Sequence, residues 1–359
     1  MYCKQGILGV QFSHPGRGHG LCCAAGQRYH NRPKDVWFNK LSESRRNISN
    51  NIKVTDCVSC YNNESRGIKS FREIYNEQFK NFKSTTLPQH MDLDFSNFCN
   101  LKCVMCGPYR SSSWAKEVGV FKENNGLVSI TENDLKEICD LSHELQYITI
   151  QGGEPTIIKE YQTYFQFLKD KDIIKNIGLN VVTNLTNINE KFFDYLPYFK
   201  NVNISVSVDA YGAANNYIRY PSNFEKISDN IRQLTNFNNL TITIDTAIQI
   251  LSMFNIKEFI NWFKELEFYY HKRKKYIGQY IQYVKYPEQF YILNAPTSLK
   301  DNFVKDIKDS KFEYLKEKIY SVNLYEYSRT IEYLQLINKK RNLELKNFIP
   351  NFELHYQAV

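Results

Sequence analysis

No stretch of about 18 consecutive apolar residues occurs in this chain, so no segment can cross a bilayer as a helix. The apolar residues nearest the start, 7–10, are too few for the core of a secretory signal. No hydrophobic region precedes the Cys22–Cys23 pair, which a lipoprotein cleavage site would require. The expectation is a cytoplasmic protein with no membrane partner. Internal repeats, low-complexity tracts and nucleic-acid-binding motifs are also missing. Beyond Cys139 there is no further cysteine, and the total of nine is odd. An odd count in a chain without an export signal argues against a disulfide framework. Clustered thiols in a reducing compartment point to metal instead.

What is present fits an ordinary globular protein. The chain has 359 residues, 42% hydrophobic and 23% charged, enough for one large core and a satellite unit. The net charge of +8 is compatible with an acidic partner. Its densest basic run, His271-Lys272-Arg273-Lys274-Lys275, reads as a solvated face or loop. The abundant Tyr and Phe read as core.

Three regions differ in texture. Residues 1–85 form a loop-rich unit with poor apolar periodicity, the kind that needs staples. Residues 86–285 alternate strand and helix. Strands are expected at 91–95, 147–150, 177–182, 202–208, 240–250 and 278–284, with helices at 131–145, 160–168, 190–199, 223–234 and 256–266. Residues 286–359 read as a C-terminal helical extension covering the core. Six such alternations predict an α/β fold, a partial (β/α)6 barrel with a parallel sheet. Chemistry in such sheets sits at the C-terminal strand ends. A cysteine loop, Gly152-Gly153, Thr183-Asn184 and Ser207 to Asp209 all fall there.

Cys99, Cys103 and Cys106 have the spacing Cys-x3-Cys-x2-Cys. Three thiolates hold three corners of a 4Fe–4S cube and leave the fourth iron open. A zinc tetrahedron wants a fourth ligand, and this loop has none. Cys139 lies inside an expected helix between Ile138 and Leu141, so it reads as a buried structural thiol rather than a hydrogen-atom donor.

The segment Cys99-Asn100-Leu101-Lys102-Cys103-Val104-Met105-Cys106 resembles the cluster loop of the radical S-adenosylmethionine (radical SAM) superfamily. The resemblance implies that the open iron binds the amino and carboxylate groups of S-adenosylmethionine. Reductive cleavage then yields a 5′-deoxyadenosyl radical that abstracts a substrate hydrogen. It implies that Met105 packs against adenine. Gly152-Gly153-Glu154-Pro155 resembles the family's GGEP motif, which contacts the methionyl amino group. Thr183-Asn184 and Ser207-Val208-Asp209 resemble strand-end residues that contact the cofactor's carboxylate or ribose, and residues 248–251 an adenine contact through backbone. Tyr217-Ile218-Arg219-Tyr220-Pro221 also fits this group, with Arg219 suited to a carboxylate.

In the first region, Cys3, Cys23, Cys57 and Cys60 are four thiols that suit either zinc or a closed cluster. The pattern Cys-x14-Gly-x4-Cys plus Cys-x2-Cys resembles the twitch module, the short relative of the SPASM domain. That resemblance implies an auxiliary 4Fe–4S cluster, here preceding the barrel rather than following it. Cys22 is an alternative to Cys23 as ligand. The implied substrate is a peptide or protein, with a carbohydrate or other small metabolite as the alternative. The implied electron donor is a flavodoxin or ferredoxin. The rival from another class is a non-catalytic zinc or iron–sulfur scaffold.

Overall fold

The computed structural model describes residues 2–65, 67, 69–83, 85–320 and 327–355. Residues 321–326 and 356–359 of the expected C-terminal extension lie outside that set.

Seven strands form one sheet in sequential order. They are β1 (Gly9–Ser13), β2 (His90–Asp94), β3 (Tyr147–Ile150), β4 (Gly178–Thr183), β5 (Asn201–Ser207), β6 (Leu240–Ile248) and β7 (Ile277–Tyr283). The ladders joining β1 to β4 and β6 to β7 are parallel. Strands β2 to β7 are the six expected from the sequence. Strand β1 is additional, and it comes from the segment expected to be loop-rich. By internal contacts the chain divides into two compact units. The first comprises residues 1–100, 108–182 and 189–203, and the second 101–107, 183–188 and 204–359.

In the first unit, strand alternation separates an apolar face from a polar one. Met91, Ile148 and Leu179 are register partners, as are Leu93, Ile150 and Val181, and all are buried. Burying each such side chain contributes roughly 1.5–3 kcal/mol. Helices Glu132–Leu141 and Lys159–Asp170 bury Ile138, Leu141, Tyr164 and Phe165. The first of these helices starts where the sequence places it, with Asp134 N donating to Thr131 Oγ1 at 3.1 Å. Tyr161 stacks on Phe95 with centroids 4.7 Å apart, and its hydroxyl, with one proton to give, lies 2.8 and 2.7 Å from the Leu93 and Gln151 carbonyl oxygens. The opposite face carries a polar row. Gln11, Asp92, Thr149 and Asn180 are register partners across β1 to β4, and Asn203 Nδ2 donates to Asn180 Oδ1 at 2.7 Å.

Residues before β2 are more helical than their periodicity suggests. Helices Lys4–Leu8, Ser42–Ser49, Val58–Glu64 and Phe71–Gln78 have eight residues or fewer, too short to show an apolar stripe. Capping compensates: Ser70 and Glu73 form a reciprocal capping box, and Gly6 N donates to Cys3 Sγ at 3.4 Å.

In the second unit, helices Phe224–Gln233 and Ile256–His271 pack through Phe224, Phe259 and Trp262, with Trp262 Nε1 donating to Ser228 Oγ at 2.9 Å. The basic run begins at the end of the second helix. His271, Lys272, Arg273 and Lys274 are exposed, as expected of a solvated turn. Helices Thr297–Asp306 and Tyr327–Arg341 bury Leu299, Phe303, Ile331 and Leu334, in line with the expected helical extension. Among the described residues, no helix is long and apolar enough to cross a membrane.

Candidate active site

β2 delivers the chain into the cysteine loop, and Asn97 fixes the start of that loop in the first unit. Its Nδ2 donates to the Pro108 and Gly126 carbonyls at 2.9 and 2.8 Å, and its Oδ1 accepts from Val128 N at 2.8 Å. Cys99 is pinned through its backbone. Its N–H donates to Ser112 Oγ at 3.3 Å, and its carbonyl accepts from Ser113 Oγ at 2.7 Å.

The Gly152-Gly153-Glu154-Pro155 turn lies against this stretch. Gly153 N and Glu154 N donate to the Ser96 and Phe98 carbonyls at 2.9 and 2.8 Å. No room for a side chain remains. A Cβ on Gly153 would stand 2.5 Å from the Phe98 carbonyl carbon, and one on Gly152, where φ is +122°, 2.9 Å from Ser96 O. Glycine is required by both space and φ at Gly152. Glu154 is buried, and its Oε1 accepts from Thr156 N and Oγ1 at 3.2 and 2.7 Å. The carboxylate therefore also caps the short turn Pro155–Ile157.

In the second unit the rest of the loop is held by the segment Tyr217 to Pro221, whose role the sequence did not reveal. Lys102 N donates to Tyr220 O at 2.5 Å and Val104 N to Ile218 O at 2.8 Å, a strand-like pairing that clamps Cys103 between them. Cys106 N closes a turn on Cys103 O at 2.9 Å. Burial pushes the Cys103 thiol up to about 12, with the positive Arg219 opposing that rise. Arg219 itself spans to Asp209, with Nε 2.8 Å from Oδ2 and Nη2 3.0 Å from Oδ1. Burial works against the guanidinium charge, but Asp209, Cys103 and Asp245 together outweigh it and keep the group cationic. Asp209 Oδ1 also accepts from Ala247 N at 2.9 Å. Burial raises the neighbouring Asp245 carboxyl to about 6, against the pull of Arg219.

Met105 Sδ lies 3.7 Å from Gln249 Nε2. Gln249 is fully buried just beyond β6, and its backbone N–H donates to Ser252 Oγ at 3.3 Å. The sequence pointed to residues 248–251 only through their backbone; a polar side chain after a β-branched run was the available signal. Asn184 Oδ1 accepts from Thr186 N and Oγ1 at 3.0 and 2.8 Å, and Thr183 Oγ1 from Leu185 N at 2.9 Å. Both thus shape the turn that ends β4. Ser207 is the last residue of β5.

The N-terminal thiols belong to the first unit. Cys3, Cys57 and Cys60 are buried. Burial pushes Cys3 up to about 11, with Cys60 adding to the rise. Cys57 goes to about 12 through burial, then Cys3 and Cys60. These three are electrostatic neighbours. The Cys22–Cys23 pair divides. Cys22 is raised by burial and by both Cys23 and Cys3, whereas Cys23 sits 3.4 Å from Tyr75 OH and is raised by burial and then Asp92. Cys139 is buried in its helix, and burial lifts its thiol to about 12, as expected of a structural cysteine.

No disulfide joins any of the described cysteines. Among the described residues no three Cys, His, Asp or Glu side chains are gathered as closely as a bound metal would hold them. The donor chemistry nevertheless suits a cluster with an open iron: three thiols within one backbone-anchored loop. In the second unit, the buried Gln249 amide beside Met105 suits a polar cofactor.

Solved structures similar to the chain include anSMEcpe with bound AdoMet and the Cp18Cys peptide, at 17% identity and TM-score 0.39, covering 64% of this chain and 61% of that one. Another is Streptococcus suis SuiB bound to the precursor peptide SuiA, at 13% identity and TM-score 0.35, covering 89% and 54%. The chain spans less than two thirds of the length of these structures. No curated protein matches it. Residues 93–266 match the radical SAM superfamily model, the stretch from β2 to the helix after β6 that carries the cysteine loop, the GGEP turn and the Asp209–Arg219 pair. That stretch is thus what the chain shares with the radical SAM superfamily, whose enzymes use a 4Fe–4S cluster and S-adenosylmethionine.

Proposed function

We propose that the protein reductively cleaves S-adenosylmethionine and abstracts a hydrogen atom from a peptide or protein substrate. When bound, the cluster and the cofactor supply an electron and a 5′-deoxyadenosyl radical, the hard part of the chemistry. The observation that carries the reading is the doubly anchored cysteine loop, held by Ser112 and Ser113 at Cys99 and by the Ile218 and Tyr220 carbonyls on either side of Cys103. Such anchoring constrains the backbone of a loop whose three thiolates can take three corners of one cube and leave one iron open.

Cys99, Cys103 and Cys106 are the cluster ligands in this reading. The Gly152–Gly153 backbone and Glu154 receive the methionyl amino group, and Met105 lies against adenine with Gln249 behind it. Asn184, Ser207 and Asp209 serve the carboxylate or ribose, Asp209 through its bridge to Arg219. Pro155 fixes the turn that follows Glu154. Cys3, Cys57 and Cys60, with one thiol of the Cys22–Cys23 pair, hold an auxiliary 4Fe–4S cluster. A fully ligated cluster has no open iron, so its work is electron transfer. The reductant is a flavodoxin- or ferredoxin-type donor. The peptide assignment rests on the resemblance of the N-terminal cysteines to the twitch module, which is commonest in peptide maturases.

Anaerobic reconstitution followed by reduction with dithionite tests the reading. The protein should release 5′-deoxyadenosine from S-adenosylmethionine, and the Cys99→Ala, Cys103→Ala, Cys106→Ala triple variant should release none. A fully loaded wild-type protein that forms no 5′-deoxyadenosine above the variant's background overturns it.

A further inference from the structure

The polar face of the first unit holds a group of cations that the proposed chemistry leaves unused. Arg17, in the loop after β1, forms an ion pair with the buried Asp94 at the end of β2. Arg28 donates to Gln11 Oε1 on β1 and to the Cys23 carbonyl at 3.1 Å, both uncharged acceptors. Gly20 makes room for it, since a Cβ there would stand 2.6 Å from Arg28 Nη1. Arg110, just past the cysteine loop, lies 3.4 Å from Gln151 Oε1 at the end of β3. The three guanidiniums sense one another. Burial lowers the Arg28 pKa, and the charges of Arg17 and Arg110 lower it further; the same two charges also depress His14.

A second, independent observation points to a ligand. Ser13 Oγ, Gln11 Nε2 and Asp94 Oδ1 are buried polar atoms without a hydrogen-bond partner among the described residues, and their side chains are at most 1% exposed. Gln11 accepts from Arg28, Asp94 pairs with Arg17, and Ser13 is the register partner of Asp94. Burying such groups unsatisfied costs about 1–3 kcal/mol each. The arginines face two carboxyl groups, Asp94, which is ion-paired with Arg17, and Asp92, which burial lifts to about 7, and two of the unsatisfied groups, the Ser13 hydroxyl and the Gln11 amide, are donors. All three arginines are partly open to solvent, and the Arg17 side chain is 14% exposed.

We propose that Arg17, Arg28 and Arg110 form an anion subsite that takes a carboxylate group of the substrate at the C-terminal ends of β1 to β3. This rests on the radical SAM reading for its link to substrate. Guanidinium forks match the planar geometry of a carboxylate, and the Asp92 and Asp94 carboxyl groups in the same wall disfavour a doubly charged phosphate. Gly152 packs against Asp94, so the subsite abuts the GGEP cradle and would hold an acidic residue, or a peptide C-terminus, beside the reacting centre. The substrate class narrows to one with a free carboxylate near the hydrogen that is removed.

Calorimetry on the reconstituted protein tests this, with glutarate as probe and the uncharged glutaramide as control. Glutarate should bind saturably and glutaramide should not. Arg28→Gln should weaken glutarate at least tenfold while changing S-adenosylmethionine affinity less than twofold, and Arg28→Lys, which keeps the charge without the fork, should fall between. Thermal midpoints of the variants check that both fold. Equal glutarate binding in wild type and Arg28→Gln, or no saturable binding to wild type, overturns the proposal. So does tighter binding of inorganic phosphate than of glutarate. A parallel loss of S-adenosylmethionine affinity also overturns it, because the carboxylate served would then be the cofactor's own. Measuring 5′-deoxyadenosine in the same preparations separates the two readings: glutarate binding that Arg28→Gln abolishes supports the subsite even where cofactor cleavage fails.

Discussion

Arg219 reaches Asp209 with two of its nitrogens, Nε at 2.8 Å and Nη2 at 3.0 Å, and the residues flanking Arg219 present their carbonyls to the loop that carries Cys103. One buried ion pair thus fixes the strand end after β5 and the segment that clamps the cysteine loop. Both side chains are largely out of solvent, 12% and 0% exposed. Removing one partner leaves the other buried and charged. Arg219→Met should cost about 3–5 kcal/mol of unfolding free energy, measured by urea titration of the apoprotein. Adding Asp209→Asn to it should restore much of that loss. If each single variant costs under about 1 kcal/mol, the value of an exposed pair, the clamp is not held by this bridge.

The GGEP turn predicts a loss that separates binding from folding. Gly153→Ala forces a Cβ into the Phe98 carbonyl, and the backbone must shift. The expected outcome is a fall of at least tenfold in S-adenosylmethionine affinity, with about 1–3 kcal/mol of destabilisation from overpacking. Gly26→Ala, where nothing lies within 4 Å, is the control and should change neither. Isothermal titration and denaturant midpoints on the three proteins decide it.

His19 predicts a pH dependence. Its Nδ1 accepts from Ser13 N at 3.1 Å, and burial lowers its pKa from 6.5 to about 4. The folded state thus binds fewer protons than the unfolded chain between those values. The stability His19 contributes is full above pH 6.5 and is lost as pH falls toward 4. Other buried groups titrate in the same range, so the comparison is with His19→Gln. The difference in unfolding free energy between wild type and variant should shift by on the order of 3 kcal/mol from pH 7 to pH 4. A pH-independent difference contradicts the assignment.

Much of this architecture is legible in the chain itself. The strand at 147–150 matches its observed limits, and the others fall within one or two residues, because β-branched runs bounded by polar turns belong to buried parallel strands. Strand β1 was missed for a physical reason. Its five residues, Gly9-Val10-Gln11-Phe12-Ser13, are buried on both faces, so no alternation marks them, and their strand character comes from pairing with β2. The cysteine spacing and GGEP were readable because that chemistry is local in sequence. The loop clamp at 218–220 and the three arginines were not, because their roles depend on neighbours up to about a hundred residues away.

The Cys22–Cys23 pair offers a direct comparison. Glycine spacing favours Cys23 as the fourth auxiliary ligand, but Cys23 faces Tyr75 and Asp92 while Cys22 shares the field of Cys3. Cys22→Ser should lower iron by about four per chain and Cys23→Ser should not, by analysis of reconstituted protein. The reverse pattern would return the role to Cys23.

The central claim is that Cys99, Cys103 and Cys106 hold a cluster with an iron open to S-adenosylmethionine. The most direct measurement is electron paramagnetic resonance of reduced protein carrying Cys57→Ser and Cys60→Ser, so that only the loop cluster contributes. Adding S-adenosylmethionine should change the g-values of a reduced 4Fe–4S signal, and the signal should vanish when the three loop cysteines are also replaced by alanine. A signal that S-adenosylmethionine leaves unchanged, or that survives loss of the three cysteines, would contradict the account.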